Sequence, residues 1–190
     1  MIIIARRRGL IGAKKANRLV FSLYNHAVET GDVIQTEYKP LQTGAAVTIL
    51  FDMATTANPT SGTGRVWKLI VCYNSAISGR GLYIGKKGAT NQAMTNWWVG
   101  VETSMSNSST SVGRQRIAVT HEPGSDDLIV KYKKDNGTLR SYTFTQSFVA
   151  ANNTLQFGAD ADQSLPAGTI NKVEVYDYIL DSAAITEFFN

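Results

Sequence analysis

An all-β sandwich that ends in one short helix is the fold class that the sequence predicts. Glycine, serine, threonine and asparagine are plentiful, and several runs alternate apolar and polar residues, as half-buried strands do. The clearest alternation covers residues 170–179, with Val173 and Val175 on one face. Helical periodicity is found at the C terminus, where Asp181 or Ser182 can accept from free backbone N–H groups and begin a helix. The apolar stripe of this helix consists of Ala184, Ile185, Phe188 and Phe189.

The length and composition fit one folded domain with a sizeable core. Of the 190 residues, 43% are hydrophobic and 18% are charged, proportions that favour a globule over a disordered chain. No apolar run approaches the roughly 20 residues that span a bilayer, so no membrane insertion is expected. At the N terminus the basic residues follow the apolar stretch, whereas in a secretory signal they precede it. Export by that route is therefore not expected. Cys72 is the only cysteine, which excludes an intrachain disulfide and favours folding in a reducing cytoplasm.

The first half of the chain contains five predicted strands. Residues 19–24 form the first, and residues 46–52 form the next clear one, in which alternate residues share a face. One face holds Val47, Ile49 and Phe51, and the other holds Thr48, Leu50 and Asp52. After a glycine-rich and threonine-rich loop, strands are predicted at 65–73, 81–85 and 97–101.

The second half contains a meander of three strands and one short strand before the terminal segment. The meander strands cover residues 114–122, 127–133 and 139–145. Asn136-Gly137 fits a tight hairpin turn between the last two, because both residue types tolerate positive φ. A further short strand is predicted at 154–158.

These elements, in this order, resemble laminin-G-like and concanavalin A-like β-sandwiches. The segment 168–190 resembles the closing strand, tight exit and terminal helix of that family, although Ala184 stands where a glutamate would complete a capping box. Its entry motif is matched by Ile34-Gln-Thr36, Leu41 and Val47-Thr-Ile49. The resemblance covers residues 19–190 and implies a concanavalin A-like jelly-roll β-sandwich with a short C-terminal helix.

A basic arm is predicted ahead of this sandwich, over residues 1–18. Six of the nineteen basic residues lie in it and no acidic residue does, whereas the remaining thirteen basic residues accompany fifteen acidic ones. These six are Arg6, Arg7, Arg8, Lys14, Lys15 and Arg18. An acidic partner or a neighbouring subunit would bind such a segment, and a loose terminus is the alternative. Because the arm has no aromatic residue for stacking on bases, nucleic acid is not the expected partner.

The sequence lacks the residue patterns of the usual catalytic sites. Retaining glycosidases of this superfamily place two carboxylates on alternate positions of one strand, about 5–5.5 Å apart. Glu174 and Asp177 have odd spacing, which puts them on opposite faces. The two histidines, His26 and His121, have no metal-ligand spacing, and His121 is expected to be a hydrogen-bonded residue at a strand end. The prediction is therefore a protein that is not an enzyme and has no cofactor.

Two features suit a binding protein. Trp97 and Trp98 are adjacent in a predicted strand, so they point to opposite faces, and one of them can contact a glycan or a protein interface. Alternatively, loops or the arm cover both tryptophans. Asp160 and Asp162, or Asp126 and Asp127, can offer oxygen ligands to calcium, although acidic turns are usually only solvated; no metal site is predicted.

The resemblance implies two alternative functions. Laminin-G-like modules without a signal or catalytic acids recur in bacteriophage structural proteins, so the first prediction is a virion structural or decoration protein, part of a head, tail or fibre. Its arm would dock on other virion proteins or on a second copy, after synthesis in the host cytoplasm. The alternative is a stand-alone lectin-like module that binds carbohydrate. The step from fold to function rests on association, because such a fold carries many functions.

Overall fold

A computed structural model describes residues 2–5, 18–39, 46–56, 66–73, 81–87, 92–97, 102–104, 112–125, 127–145, 154–158 and 165–190. These residues contain thirteen strands and one helix. The strands of the first half are β1 Ile2–Ala5, β2 Leu19–Val28, β3 Val33–Thr36, β4 Val47–Thr55, β5 Val66–Tyr73, β6 Gly81–Lys87 and β7 Gln92–Trp97. Those of the second half are β8 Glu102–Ser104, β9 Gly113–His121, β10 Asp127–Lys134, β11 Arg140–Thr145, β12 Gln156–Phe157 and β13 Gly168–Tyr176, followed by helix α1 Ser182–Phe188.

The strands form two sheets. The seven-stranded sheet has the order β1-β3-β12-β5-β6-β7-β8, and the six-stranded sheet has the order β11-β10-β9-β4-β13-β2. Every described pairing is antiparallel except that of β1 with β3, which is parallel. The predicted all-β sandwich with a short C-terminal helix is confirmed.

The core lies between the sheets and takes residues from both. Ile34, Ile70, Ile84 and Phe157 of the seven-stranded sheet form one buried cluster with the inward residues of the six-stranded sheet. In β4 these are Val47, Ile49, Phe51 and Met53, and in β13 they are Ile170, Val173 and Val175. The predicted sharing of one face by Val47, Ile49 and Phe51, and by Val173 and Val175, is confirmed. Alternation along each strand therefore decides which side chains leave water.

Helix α1 covers part of the outer face of the six-stranded sheet. Asp181 is its N-cap, and the carboxylate Oδ1 accepts from the backbone N–H of Ala184 at 2.8 Å. Ile185 and Phe189 pack in a second buried cluster with Leu50 of β4 and Ala118 of β9. Strand β4 is consequently buried on both faces, which explains why its outward position 50 is apolar.

The end of α1 is fastened to the sheet by a buried arginine. The side chain of Arg116, which is 2% exposed, donates through Nη1 to the carbonyl oxygen of Phe189 and through Nη2 to that of Asp135 at 2.9 Å. Lys133 Nζ also donates to the Phe189 carbonyl, at 2.9 Å. Two cations thus meet the last carbonyl groups of the helix, where its dipole is negative.

Two local predictions differ from the structure. Ile2–Ala5 form a strand of the seven-stranded sheet, so the first strand lies within the predicted arm and not at 19–24. The described part of strand β7 is Gln92–Trp97, and the rest of the predicted strand at 97–101 lies outside the described residues. Between β10 and β11 the left-handed residue is Asp135, with φ of 49°, and the turn closes from Gly137 N–H to Lys134 O at 2.8 Å. The arm/sandwich boundary at residue 18 stays a prediction.

Candidate functional site

Of the six cations of the predicted arm, the structure describes Arg18. Its backbone N–H and Nε donate to the carboxylate of Asp177 at 2.7 and 3.0 Å, and Asp177 N–H donates back to Arg18 O at 3.1 Å. This arginine is therefore bound at the end of β13 of its own chain. The other five, Arg6, Arg7, Arg8, Lys14 and Lys15, lie outside the described residues. The docking role of the arm stays a prediction.

Of the two predicted tryptophan contacts, the structure describes the backbone of Trp97. Trp97 is the last residue of β7, and its Cα pairs with that of Leu82 in β6. The placement of its side chain is outside the described part of the structure, and so is all of Trp98. The assignment of these two residues as glycan or interface contacts stays a prediction.

Most of the acidic residues that were considered as calcium ligands lie outside the described residues. Asp126, Asp160 and Asp162 are not among the described residues, and the carboxylate of Asp127 accepts from Thr145 Oγ1. Within the described ranges, no group of three or more His, Cys, Asp or Glu side chains could hold a metal ion. In the same ranges, no helix has the length and apolar character needed to cross a bilayer.

A carboxylate with three partners stands on the outer face of the six-stranded sheet. Glu174 of β13 accepts from the hydroxyl of Tyr24 through Oε1 and from the hydroxyl of Tyr176 through Oε2 at 2.7 Å. Lys172 Nζ lies 2.9 Å from Oε2 and 6.0 Å from the ring centre of Phe188. Alternation along β13 puts Lys172, Glu174 and Tyr176 on the face opposite to Val173 and Val175.

The protonation of this cluster is set by burial and by its hydrogen bonds. Burial alone would raise the pKa of Glu174, but hydrogen bonds from Tyr24, Lys172 and Tyr176 outweigh it and hold the pKa below its usual value. Desolvation, followed by the hydrogen bond to Glu174, raises the pKa of Tyr24 to about 12. The same two causes raise the pKa of Tyr176. At neutral pH the cluster therefore holds a carboxylate and two neutral phenols.

A second carboxylate lies beside this cluster. Asp52 of β4 accepts from Arg114 Nε at 3.0 and 3.1 Å, from Arg114 Nη2 at 2.6 Å and from Asn171 Nδ2 at 3.0 Å. The Asp52 side chain is only 4% exposed, whereas that of Arg114 is 48% exposed. The hydrogen bond that Arg114 donates to Asp52 is the main cause that raises the pKa of Arg114. The pair thus places a fixed positive charge at the surface over a buried negative one.

Two asparagines distort the strands between these clusters. The register of β13 against β4 shifts between Ile170 and Lys172, which makes Asn171 a bulge residue. On the other side, β2 pairs Tyr24 with Lys172 and His26 with Ile170, so Asn25 faces Asn171 across the two strands. Asn25 has a positive φ of 49°. Bulges of this kind redirect side chains and are frequent next to functional sites.

Sequence patterns could not have grouped these residues. Tyr24 and Glu174 are 150 positions apart, and Arg114 and Asp52 are 62 apart. Glu174 drew attention in the sequence only as a candidate catalytic acid whose spacing from Asp177 is odd. Its partners instead come from the same strand and from β2. The only local signal was the polar composition of outward positions on two strands with apolar inward faces.

Alkaline pH tests the hydrogen bonds of Tyr24. Because its pKa is raised from 10.0 to about 12, the stability that this group contributes is complete below pH 10 and is lost as the pH rises from about 10 to about 12. We expect the free energy of unfolding, measured in urea between pH 8 and 11.5, to fall less steeply above pH 10 in Tyr24→Phe than in the natural sequence. Tyr178→Phe is the control, since no described hydrogen bond joins its hydroxyl to Glu174. Equal slopes in all three proteins would contradict the assignment.

The fold defines a class of protein: a β-sandwich of two sheets with a helix on one of them. No family model matches the chain, and no curated protein sequence matches it either. Among solved structures, the carbohydrate-binding module CBM40 of Ruminococcus gnavus IT-sialidase, bound to α2,3-sialyllactose, matches with a TM-score of 0.61 at 12% identity. That match covers 90% of this chain and 98% of the module. The same module bound to α2,6-sialyllactose matches with a TM-score of 0.59.

A larger enzyme contains a similar domain. The leech intramolecular trans-sialidase, in complex with 2,7-anhydro-Neu5Ac, matches with a TM-score of 0.62 at 13% identity, over 90% of this chain and 28% of the enzyme. The chain thus spans a whole module in one case and little more than a quarter of the enzyme in the other. At these identities the similarity shows the fold alone.

Proposed function

We propose that this chain is a non-catalytic module that binds glycans, with sialylated oligosaccharides as the first ligands to test. The observation that carries the proposal is the match over 98% of a carbohydrate-binding module that was solved with sialyllactose. The similarity in fold extends over nearly the whole of that module, whereas it covers only 28% of the trans-sialidase. The lectin-like alternative drawn from the sequence is therefore the better supported of the two functions.

The protonation of the outer-face cluster agrees with a role without catalysis. Sialidases use a tyrosine nucleophile, and a nucleophile is activated by a nearby base or by a lowered pKa. Tyr24 and Tyr176 do have a carboxylate within hydrogen-bond distance, but the pKa of each is raised, and Glu174 already shares its two oxygens among three partners. Such a carboxylate is a poor base for activating either phenol.

Two faces are available for a glycan. Helix α1, the only helix among the described residues, lies on the six-stranded sheet, so the outer face of the seven-stranded sheet has no helix over its described strands. On the six-stranded sheet, the helix leaves the polar clusters around Asp52 and Glu174 at its side. The predicted structural role in a virion, with other virion proteins or a second copy as partners, has no further support and stays a prediction.

Calorimetric titration with α2,3-sialyllactose and with lactose tests the proposal. We expect saturable binding of sialyllactose by residues 1–190, and at least tenfold weaker binding of lactose, because the sialic acid adds a carboxylate that a protein cation can bind. The α2,6 isomer extends the test to the linkage. If neither isomer binds at millimolar concentrations and a broad glycan array also stays blank, the glycan-binding function is wrong.

A further inference from the structure

We propose that the outer face of the six-stranded sheet beside α1 is the glycan-binding surface, and that Arg114 binds the carboxylate of an acidic sugar there. The surface consists of the side chains of Tyr24, Asn171, Lys172 and Arg114 over the carboxylates of Asp52 and Glu174, and is called the Tyr24–Arg114 surface below. This inference rests on the proposed glycan binding and names the site and ligand chemistry for it.

The exposed side chains of this surface have hydrogen-bonding capacity left over. Arg114 uses Nε and Nη2 on Asp52, and Nη1 makes no hydrogen bond within the described part of the chain. Lys172 Nζ has one described carboxylate partner and three protons. Asn171 donates through Nδ2, and its Oδ1 accepts nothing among the described residues. Within the described part of the chain, donors and an acceptor with remaining hydrogen-bonding capacity therefore lie side by side, which suits the hydroxyl and carboxylate groups of a sugar.

Buried partners hold these groups in position. The side chains of Asp52 and Glu174 are 4% and 10% exposed, and each orients a cation that reaches the surface. Ordering the flexible side chains of arginine and lysine on binding would otherwise lower the affinity. Because the protein has already fixed them, a ligand gains more of the interaction energy as affinity.

Tyr24 supplies an aromatic ring at the edge of the surface. It is 49% exposed although its hydroxyl is hydrogen-bonded to Glu174, so the ring is fixed and yet open to solvent. An exposed aromatic ring that is held at one end can pack against the apolar C–H face of a sugar ring. Asn25, with its positive φ, follows it directly and faces the bulge at Asn171. The positive φ of Asn25 and the bulge at Asn171 are backbone irregularities that strand pairing alone does not require. Irregularities of this kind cluster at functional sites.

The geometry of Arg114 and the size of the surface favour a short acidic oligosaccharide. Arg114 and Lys172 balance the two carboxylates of the surface, and Arg114 presents a planar guanidinium edge that suits a ligand carboxylate. Tyr24 and Arg114 lie on β2 and β9, which are separated by β13 and β4. Three strand spacings amount to about 14 Å, a span that exceeds a single sugar ring. A trisaccharide such as sialyllactose is the appropriate probe.

Titrations of α2,3-sialyllactose and lactose into four variants test the inference. Arg114→Gln and Arg114→Lys should each lower the affinity for sialyllactose at least tenfold and reduce its preference over lactose, since glutamine lacks the charge and lysine lacks the fork. Tyr24→Ser should weaken the binding of both ligands because it removes the aromatic ring. Arg140→Gln removes an exposed cation from β11 and should leave both affinities unchanged.

The variants distinguish a loss of binding from a loss of folding. Arg114→Lys keeps a positive charge over Asp52, so its melting temperature checks that the fold is intact. If the natural sequence binds sialyllactose and both Arg114 variants bind it equally well, the inference is wrong while the glycan-binding function stands, and Trp97→Ala then tests the other sheet. If the natural sequence binds no glycan, the proposed function itself fails.

Discussion

Phe157→Ala is expected to lower the free energy of unfolding by about 4 kcal/mol. Phe157 is fully buried and stands at the centre of an aromatic stack, 6.0 Å from the ring of Phe21 and 5.6 Å from the ring of Phe51. Its own strand, β12, belongs to the seven-stranded sheet, whereas its two ring partners belong to the six-stranded sheet. Truncation at this position therefore removes one of the contacts between the two layers.

The magnitude follows from cavity formation. Phenylalanine truncation in a core costs about 3–5 kcal/mol, and each lost aromatic pair adds about 0.5–1.5 kcal/mol within that range. Strand β12 has only two residues, so little backbone pairing can compensate. The melting temperature should fall by about 8–16 °C, at about 2–4 °C for each kcal/mol in a chain of this size.

Urea and thermal denaturation measure the effect, with Phe157→Leu and Leu139→Ala as controls. Leucine nearly fills the space and should cost less than about 1.5 kcal/mol. Leu139 is 39% exposed, so its truncation should change stability by at most about 0.5 kcal/mol. A loss below about 2 kcal/mol for Phe157→Ala would show that the two sheets are not joined through this stack.

Arg116→Ala is expected to cost about 3 kcal/mol and to release the C-terminal helix. The guanidinium donates to the carbonyl oxygens of Phe189 and Asp135 from a position that is 2% exposed. Hydrogen bonds from a charged group contribute about 1.5–3 kcal/mol, and a buried carbonyl that loses its donor bears the full cost of desolvation. Lys133 would remain as the only described donor to Phe189 O.

Hydrogen exchange distinguishes release of the helix from general destabilisation. The amides of Ile185 and Phe189 should exchange faster in Arg116→Ala by a larger factor than those of β4 and β9. Arg116→Met keeps the apolar stem but loses both hydrogen bonds. It should lower the free energy of unfolding by about 2 kcal/mol, which is less than the loss in Arg116→Ala. Uniform acceleration across all elements would mean that Arg116 stabilises the sheet and not the attachment of the helix.

The fold followed from local patterns that the structure preserves. Alternation along β4 and β13 placed Phe51, Val173 and Val175 in the core, and the capping residue Asp181 marked the start of α1. Errors arose where local preference was overruled. Asn136-Gly137 suits a two-residue turn, but Asp135 adopts the left-handed conformation instead, where its carboxylate accepts from Arg114 N–H at 2.7 Å and its carbonyl from Arg116.

The sequence by itself determined the all-β class, the order of most strands, the face of each strand that enters the core and the terminal helix, because period and capping are properties of neighbouring residues. Only the tertiary structure decided which polar residues meet. Tyr24 reaches Glu174 because β2 pairs with β13, and Arg114 reaches Asp52 because β9 pairs with β4. Strand register joins residues that are 150 and 62 positions apart, and no local pattern records such a pairing.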